Sequence, residues 1–291
     1  MRFDTRRRRS MMVLPVALVL SAGVVACGSD DDDDGGKRET VSFTVTGNEK
    51  EITAKAPGTV KGGVVDLELK NDGKLPVDGQ LIRVDGDQTA EDVEKIIEGA
   101  GEGKPIPPWL HAAGGPPTAV PGATSSATQE LAPGNYYFFG EPDTEGEDEG
   151  PAPAAVKFEV EANGDGELPK TDATITARDY SFEASGLKAG KNEVEIDNAG
   201  KELHHVIAFP LLPGKTLDDA KKVLASEEEP SGPPPFDEKA ITGTTVLEGG
   251  EKQVLDLDLK KGKNVLVCFI SDRKGGPPHV AKGMISETNV E

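Results

Sequence analysis

Short runs in which apolar and polar residues alternate recur along this chain, and they limit the folds open to it more than any other feature. A two-residue period matches a β-strand that buries one face, because successive side chains of a strand point to opposite sides. Gly and Pro, which number 35 and 22 among the 291 residues, separate the runs and favour turns over long helices. We therefore predict an all-β fold of antiparallel β-sandwiches. The alternating runs lie at residues 41–45, 65–69, 156–160, 194–196 and 255–259.

The same succession of segments occurs twice, about 125 residues apart, which indicates a duplicated domain rather than a solenoid of short repeats. Each copy has an alternating strand that ends in Asn-x-Gly-Lys, at residues 64–74 and 192–201. Each copy then has a short amphipathic segment, 89–97 or 216–224, that starts with Thr and has acidic residues in its first turn. Because Thr is a good N-cap and acidic residues suit the helix dipole there, we predict one inserted helix per copy.

The repeat and the composition divide the chain into five segments. Two β-sandwich domains in tandem, at 39–162 and 171–291, are joined by a polar, Gly-containing linker at 163–170. A signal peptide occupies 1–27, and the acidic segment 28–38 is a flexible, solvated tether whose like charges repel one another. Metal binding by this acidic run is the alternative, but a flexible segment has no preformed cage for an ion.

The first 27 residues have the features of an export signal. Five Arg residues precede an apolar run at 11–25, and Val24-Val25-Ala26-Cys27 ends it. This arrangement resembles the lipobox of bacterial lipoproteins, which implies that Cys27 is lipidated and anchors an extracytoplasmic protein to the cell membrane. The alternative is an uncleaved anchor, but 15 apolar residues fall short of the roughly 20 that a spanning helix needs. Export through the general or the twin-arginine route stays open.

The charge of the chain excludes one class of partner. It has 52 acidic and 32 basic residues, and its formal net charge is -20 at pH 7. A surface of this sign repels phosphates, so we predict no nucleic-acid partner and no binding to anionic lipid headgroups.

A lone cysteine, Cys268, and the residues that follow it predict a metal site. Lipidation of Cys27 leaves Cys268 without a disulfide partner, which is unusual in an exported protein. His279 and Met284 follow on the next loop, and the pair His204-His205 lies upstream. Two imidazoles and a thiolate with a weak axial thioether are the ligands of electron-transfer copper sites. The alternative is that Cys268 is an inert buried residue that packs like a small hydrophobe.

Three motifs of the second copy carry a family resemblance. In residues 198–207 Asn-x-Gly precedes the first His, a Cys ends a hydrophobic strand at 265–268, and four residues separate a His from a Met within 279–284. On these motifs the second copy resembles a cupredoxin, the Greek-key sandwich of plastocyanin, azurin and copper nitrite reductase. The resemblance extends over 171–291 and, in outline only, over 39–162. It implies two tandem Greek-key domains and a copper ion held by His204, Cys268, His279 and Met284.

The loop between two of these ligands departs from the family pattern. Ten residues separate Cys268 from His279, more than in plastocyanin-like or nitrite reductase-like loops. Gly275-Gly276-Pro277-Pro278 supplies a bend and then a stiff segment just before His279. This bend allows the longer loop to return the imidazole to the thiolate, but the sequence does not decide whether it does.

The neighbours of the ligands have supporting roles in this interpretation. Because a strand sends adjacent side chains to opposite faces, only one ring of the His pair is expected to reach the thiolate. The family pattern assigns that role to His204. His205 is then expected either to be partly exposed or to donate a supporting hydrogen bond. Phe269 is expected to form part of a hydrophobic wall around the site, which would tune its potential.

The first copy has none of these ligands. Gly79-Gln80 stands in place of the paired histidines, and Phe139-Gly140 stands near the position of the Cys. The acidic segment 141–150 replaces the third-ligand loop and predicts a solvated loop, with calcium binding as the alternative. His111, beside the only Trp, is expected to be structural, with a partner-docking surface as the alternative.

The function implied is single-electron transfer, with a redox partner protein or a copper donor as the protein partner. Two alternatives use the same fold: a copper chaperone or buffer with the same ligands, and a metal-free module for surface interactions. An enzyme is not predicted, because a catalytic copper needs additional His ligands and the whole chain has 4.

Overall fold

The computed structural model describes residues 38–142, 151–162, 164, 166–225 and 232–291. The predicted signal peptide with Cys27, the predicted tether up to residue 37 and most of the acidic loop lie outside the described residues. Within the described part of the chain, no helix combines the length and the apolar character needed to cross a membrane.

The N-terminal half of the protein, residues 38–162, consists of short strands with one inserted helix. Its elements are β1 (Glu39–Gly47), β2 (Ile52–Lys55), β3 (Thr59–Val60), β4 (Gly63–Asn71), β5 (Val77–Val84), α1 (Ala90–Gly101), β6 (Leu110–Ala112), β7 (Thr124–Leu131), β8 (Gly134–Pro142) and β9 (Ala154–Val160).

The C-terminal half, residues 171–291, repeats this pattern. Its elements are β10 (Ala173–Arg178), β11 (Ser181–Ser185), β12 (Gly190–Asn198), β13 (Ile207–Pro210), α2 (Leu217–Leu224), β14 (Thr242–Gly243), β15 (Lys252–Leu259), β16 (Gly262–Val267) and β17 (Ile285–Val290). Two turns of 3-10 helix lie at Glu238–Ala240 and His279–Lys282.

Both predicted helices are present, and the same local chemistry starts each of them. Thr89 and Thr216 are the N-caps, and the hydroxyl of each accepts a hydrogen bond from the backbone N–H three residues later at 3.2 Å. The acidic side chain at that third position accepts a hydrogen bond from the cap's own backbone N–H at 3.0 Å. This reciprocal capping box satisfies N–H groups that a helix start otherwise leaves unpaired.

The strands form two β-sandwiches that share one sheet, which confirms the predicted all-β fold. The prediction of purely antiparallel pairing is wrong, because β1 runs parallel to β4 and β10 runs parallel to β12. A central sheet of eight strands has the order β11-β10-β12-β15-β7-β4-β1-β2. A five-stranded sheet, β3-β9-β8-β5-β6, covers its N-terminal part, and a four-stranded sheet, β14-β13-β16-β17, covers its C-terminal part. The halves are joined where β15 pairs with β7, with Gln253 opposite Gln129. The placement of a linker at 163–170 stays a prediction.

Each sandwich has its own apolar core, formed by the inward side of the alternating strands. In the N-terminal half, Phe43 stacks on Phe138 with ring centroids 4.4 Å apart and meets Phe158 edge-on at 5.6 Å. In the C-terminal half, the core includes Cys268 and Met284, both 0% exposed. Two of the predicted ligands therefore lie inside the second sandwich.

A third apolar cluster lies between the halves. Val93 of α1, Ile106 and Leu110 of the N-terminal half pack in it with Leu203 of the C-terminal half, and Ile270 packs against it. Leu203 immediately precedes the His pair, and Ile270 lies two residues after Cys268. The boundary between the halves is thus directly beside the predicted ligands.

Candidate metal centre

Three predicted ligands lie together in a buried triangle. The Sγ atom of Cys268 lies 3.7 Å from Nδ1 of His204 and 3.5 Å from Nδ1 of His279, and the two Nδ1 atoms are 3.1 Å apart. His204 is 2% exposed, and the other two are 0% exposed. Among the described residues, they are the one group of three or more His, Cys, Asp or Glu side chains whose ligand atoms lie close enough together to hold a metal ion.

Backbone pairing holds each corner of the triangle. His204 precedes β13 and forms a bridge with Leu247, in which each residue donates its N–H to the carbonyl of the other, at 3.1 and 2.8 Å. Cys268 directly follows β16, and its carbonyl accepts the N–H of Val280 at 2.8 Å. The N–H of His279 binds the carbonyl of Ile270 at 2.8 Å, which returns the loop to the end of β16. The ten-residue loop therefore places the His279 imidazole beside the Cys268 sulfur.

Met284 follows the 3-10 turn that starts at His279. The turn ends at Gly283, whose φ of +98° is a left-handed conformation that glycine adopts without strain. The N–H of Met284 then binds the carbonyl of His279 at 2.9 Å, and its carbonyl accepts the N–H of Cys268 at 3.3 Å. The Met284 side chain is completely buried in the same core cluster as Cys268.

A carboxylate lies at the outer nitrogen of each imidazole in the triangle. Nε2 of His204 is 3.3 Å from Oδ1 of Asp179, and Nε2 of His279 is 3.0 Å from Oδ1 of Asp272. Each carboxylate can accept a hydrogen bond from a protonated Nε2. The free lone pair of the imidazole is then on Nδ1, which points into the triangle. Neither acid was predicted from the sequence. Asp272 lies within the ligand loop, where its position was a usable signal, but nothing in the sequence connects Asp179 with His204.

Both carboxylates are themselves held in place. Oδ1 of Asp179 accepts the backbone N–H groups of Lys201 and Glu202 at 2.9 and 3.2 Å. Asp272 accepts the hydroxyl of Tyr180 at 2.9 Å and forms an ion pair with Lys282. The Tyr180 ring also meets the His279 ring edge-on, with centroids 5.2 Å apart. These contacts restrict the orientation of both imidazoles before any metal binds.

Burial is the largest influence on the pKa of each of the three side chains in the triangle. It lowers the pKa of His279 to about 4 and also lowers the pKa of His204, so both imidazoles are neutral at pH 7. It raises the pKa of the Cys268 thiol to about 12, although backbone N–H groups of His205 and Ile270 bind the sulfur and oppose this shift. A thiolate here therefore needs a cation beside it. Two neutral imidazole nitrogens and one ionisable sulfur are a set of donor atoms that suits a soft or borderline metal ion.

His205 and Phe269 lie outside the triangle and form a brace beside it. Nε2 of His205 accepts the backbone N–H of Phe269 at 2.9 Å, and burial lowers the pKa of His205 to about 3. Of the two roles expected for His205, a partly exposed ring agrees with its intermediate burial, whereas Nε2 accepts its hydrogen bond and does not donate it. The ring centroids of Phe269 and Phe209 are 6.1 Å apart. Phe269 also packs against the apolar cluster that contains Ala220 and Leu224 of α2.

The strand pairing in the structure changes which residues of the N-terminal half correspond to the predicted ligands. Val77 and Ala119 form an isolated β-bridge that corresponds to the bridge between His204 and Leu247 in the other half. Val77, and not Gly79, is therefore the counterpart of His204. The corresponding ladders place Gly140 at the position of Cys268. A Cβ atom on Gly140 would lie 2.9 Å from a methyl group of Val45. Apolar packing therefore fills the place that the thiol has in the C-terminal half.

His111 is part of a polar network at the boundary between the halves. Its Nε2 lies 3.0 Å from Asp85 and its Nδ1 lies 3.7 Å from Glu248. These contacts place His111 between acidic residues of the two halves.

No protein family matches the chain, and no curated protein matches it. Among solved structures, auracyanin B is 17% identical over 43% of this chain and 92% of that chain, with a TM-score of 0.27. Reduced auracyanin from Roseiflexus castenholzii is 18% identical over 40% of this chain and 94% of that chain, with a TM-score of 0.26. Copper nitrite reductase from Nitrosomonas europaea is 14% identical over 88% and 94%, with a TM-score of 0.24. These similarities are too weak to assign a function to this chain. A function has to be inferred from the geometry of the site.

Proposed function

We propose that this protein binds copper and transfers single electrons through the triangle of His204, Cys268 and His279, with Met284 as a weak fourth ligand. The observation that carries the proposal is the buried pair of Nδ1 atoms and one sulfur, with edges of 3.1 to 3.7 Å. The centre of such a triangle is about 2 Å from every corner, close to the length of a bond between a metal and an imidazole nitrogen or a thiolate.

The donor set fits copper better than zinc. Structural zinc sites take four Cys or His ligands in a closed tetrahedron, whereas a neutral thioether beside two imidazoles and one thiolate is typical of copper. Bound there, copper would supply a one-electron change between its two oxidation states. The chain's own contribution is rigidity, because carboxylates and backbone bonds hold the ligands in one arrangement and burial excludes water. Little then has to reorganise when the charge of the site changes.

Burial of the ligands also favours an electron carrier over the alternatives. A copper chaperone or buffer must exchange its metal, yet the three ligands are at most 2% exposed. An enzyme with a catalytic metal keeps an open coordination position for its substrate, and this buried triangle offers no such access. We therefore propose a carrier without catalytic activity, whose partner is a redox protein.

A titration with Cu(II) tests the proposal. The wild-type protein is expected to develop an intense visible absorption from thiolate-to-copper charge transfer that saturates at one ion per chain. The Cys268→Ser variant, which lacks the thiolate, should not show it. A colourless wild type that binds Cu(I) would favour the buffer, and a wild type that binds neither ion would favour a metal-free interaction module.

The proposal includes a location outside the cytoplasm, with a lipid anchor at Cys27. Its support is the N-terminal pattern of five Arg residues, an apolar run and Val24-Val25-Ala26-Cys27. Cells fed a labelled fatty acid are expected to label the wild-type protein and not the Cys27→Ala variant. Equal labelling of both proteins would refute lipidation at this residue.

A further inference from the structure

The ligand loop, residues 269–278, is attached to the N-terminal half. The N–H of Gly276 donates to the carbonyl of Gly103 at 2.9 Å, and the N–H of Ile106 donates to the carbonyl of Arg273 at 2.8 Å. A Cβ atom on Gly275 would lie 2.4 Å from the oxygen of Gly103, so only a glycine permits this approach. The loop therefore lies in direct backbone contact with the segment that follows α1.

The side chain of Arg273 joins both halves in one set of hydrogen bonds. Its Nη1 donates to the carbonyls of Pro107 and Leu110, at 3.1 and 3.0 Å. Its Nη2 donates to both carboxylate oxygens of Glu248 at 2.7 and 2.6 Å. The Arg273 and Glu248 side chains are 25% and 20% exposed, so solvent screens this pair only in part. The two nitrogens of one guanidinium thus bind acceptors in different halves, which the single ammonium nitrogen of a Lys does not reproduce.

The backbone of Arg273 is also held by the C-terminal half. Its N–H donates to Oε2 of Glu202 at 2.6 Å. Glu248 in turn donates its backbone N–H to the carbonyl of Ala112, on β6, at 2.8 Å. The loop at Arg273 thus has fixed partners on both sides of the boundary between the halves.

Asp272 connects this anchored segment to the triangle. It directly precedes Arg273, and its Oδ1 is 3.0 Å from Nε2 of His279. Fixing the backbone at Arg273 therefore fixes the carboxylate that orients the imidazole. Outer partners of this kind set the tautomer and direction of a ligand histidine.

We propose that the N-terminal half positions His279, and that Arg273 is the positioning residue that transmits its effect through Asp272. The copper part of this inference rests on the proposed function, whereas the effect on the loop does not. It assigns a role to the half that contributes no residue to the triangle. It also gives a reason for the ten-residue loop, because a shorter connection between Cys268 and His279 has no residues to spare for contact with the N-terminal half.

The test compares full-length variants in two measurements. In the metal-free protein, hydrogen exchange of the amides of Gly276 and Ile106 is expected to be faster in Arg273→Ala than in the wild type. In the copper-loaded protein, Arg273→Ala is expected to lose Cu(II) to a chelator more readily, by about 10-fold, and to have a shifted visible band. Asp272→Ala should weaken binding by about 10-fold to 100-fold, the range for removing the outer partner of a ligand histidine.

Two further variants separate positioning from general destabilisation. Arg38→Ala removes an exposed ion pair with Asp66 on β4 and should leave loop exchange, band and affinity unchanged. Arg273→Lys keeps the charge but lacks the guanidinium geometry, so its effect should fall between those of the wild type and Arg273→Ala. Unchanged exchange and an unchanged band in Arg273→Ala would overturn the inference. A wild type without the band would instead refute the proposed function, while faster loop exchange in Arg273→Ala would still support the anchoring.

Discussion

The His204→Ala variant is expected to lose the visible absorption of the copper-loaded protein, whereas His205→Gln is expected to keep it. Nδ1 of His204 lies 3.7 Å from the Cys268 sulfur and 3.1 Å from Nδ1 of His279, so its removal opens the triangle. The affinity for Cu(II) should fall by more than about 100-fold, because loss of an outer partner alone costs 10-fold to 100-fold. Absorption spectra and competition with a chelator measure both quantities.

His205→Gln is the matched control because it changes the adjacent imidazole. The His205 ring accepts the N–H of Phe269 at 2.9 Å, and the side-chain oxygen of Gln can accept the same hydrogen bond. We therefore expect its band to keep the wild-type intensity. Loss of the band in His205→Gln and its survival in His204→Ala would show that the two histidines have the opposite roles.

The Phe43→Ala variant is expected to lower the free energy of unfolding by about 3–5 kcal/mol, the usual cost of truncating a buried Phe to Ala. Phe43 is 0% exposed and contacts Phe138 and Phe158, so its removal leaves a cavity in the N-terminal core. The loss is a large fraction of the stability of a typical domain. Denaturation with urea, followed by circular dichroism, measures it.

The same experiment tests whether the two halves unfold together. Trp109 packs against the cluster between the halves, so its fluorescence reports that boundary and not the Phe43 core itself. Since the eight-stranded sheet runs through both halves, we expect the fluorescence and circular dichroism transitions to coincide in the variant. Val120→Ala, at a side chain that is 56% exposed, should change the stability by less than about 0.5 kcal/mol. A loss below about 1 kcal/mol in Phe43→Ala would contradict the expected cavity.

The strands and helices were predictable because their signals are local. Alternation around Phe43 and Leu67 reports which side of a strand is buried, and Thr with an acid three residues later starts both helices. The comparison of the two copies was less successful. Counting along the chain paired the histidines with Gly79-Gln80, whereas the bridge to Ala119 shows that Val77 has that place. Register depends on pairing with a distant segment, which spacing within one strand does not report.

The candidate site divides in the same way between local and distant information. The types of ligand follow from a thiol, an imidazole and a thioether on one short segment, whereas the folded chain was needed to show that the ten-residue loop places His279 beside Cys268. The choice between His204 and His205 had only the alternation rule and a resemblance behind it. The folded chain separates them, since one ring enters the triangle and the other accepts the N–H of Phe269.

Local sequence was therefore enough for the alternating strands, the helix starts and the types of donor atom, because each depends on residues that are close neighbours along the chain. Only the tertiary structure decides which outer carboxylates orient the imidazoles and where the ligand loop is attached. Asp179 is far from His204 in sequence but 3.3 Å from it in space, and Arg273 reaches carbonyls of the other half at 3.0 and 3.1 Å. The first contact lies within the C-terminal half and the second crosses the boundary between the halves. Both join segments that are distant along the chain, so no single segment contains the information for them.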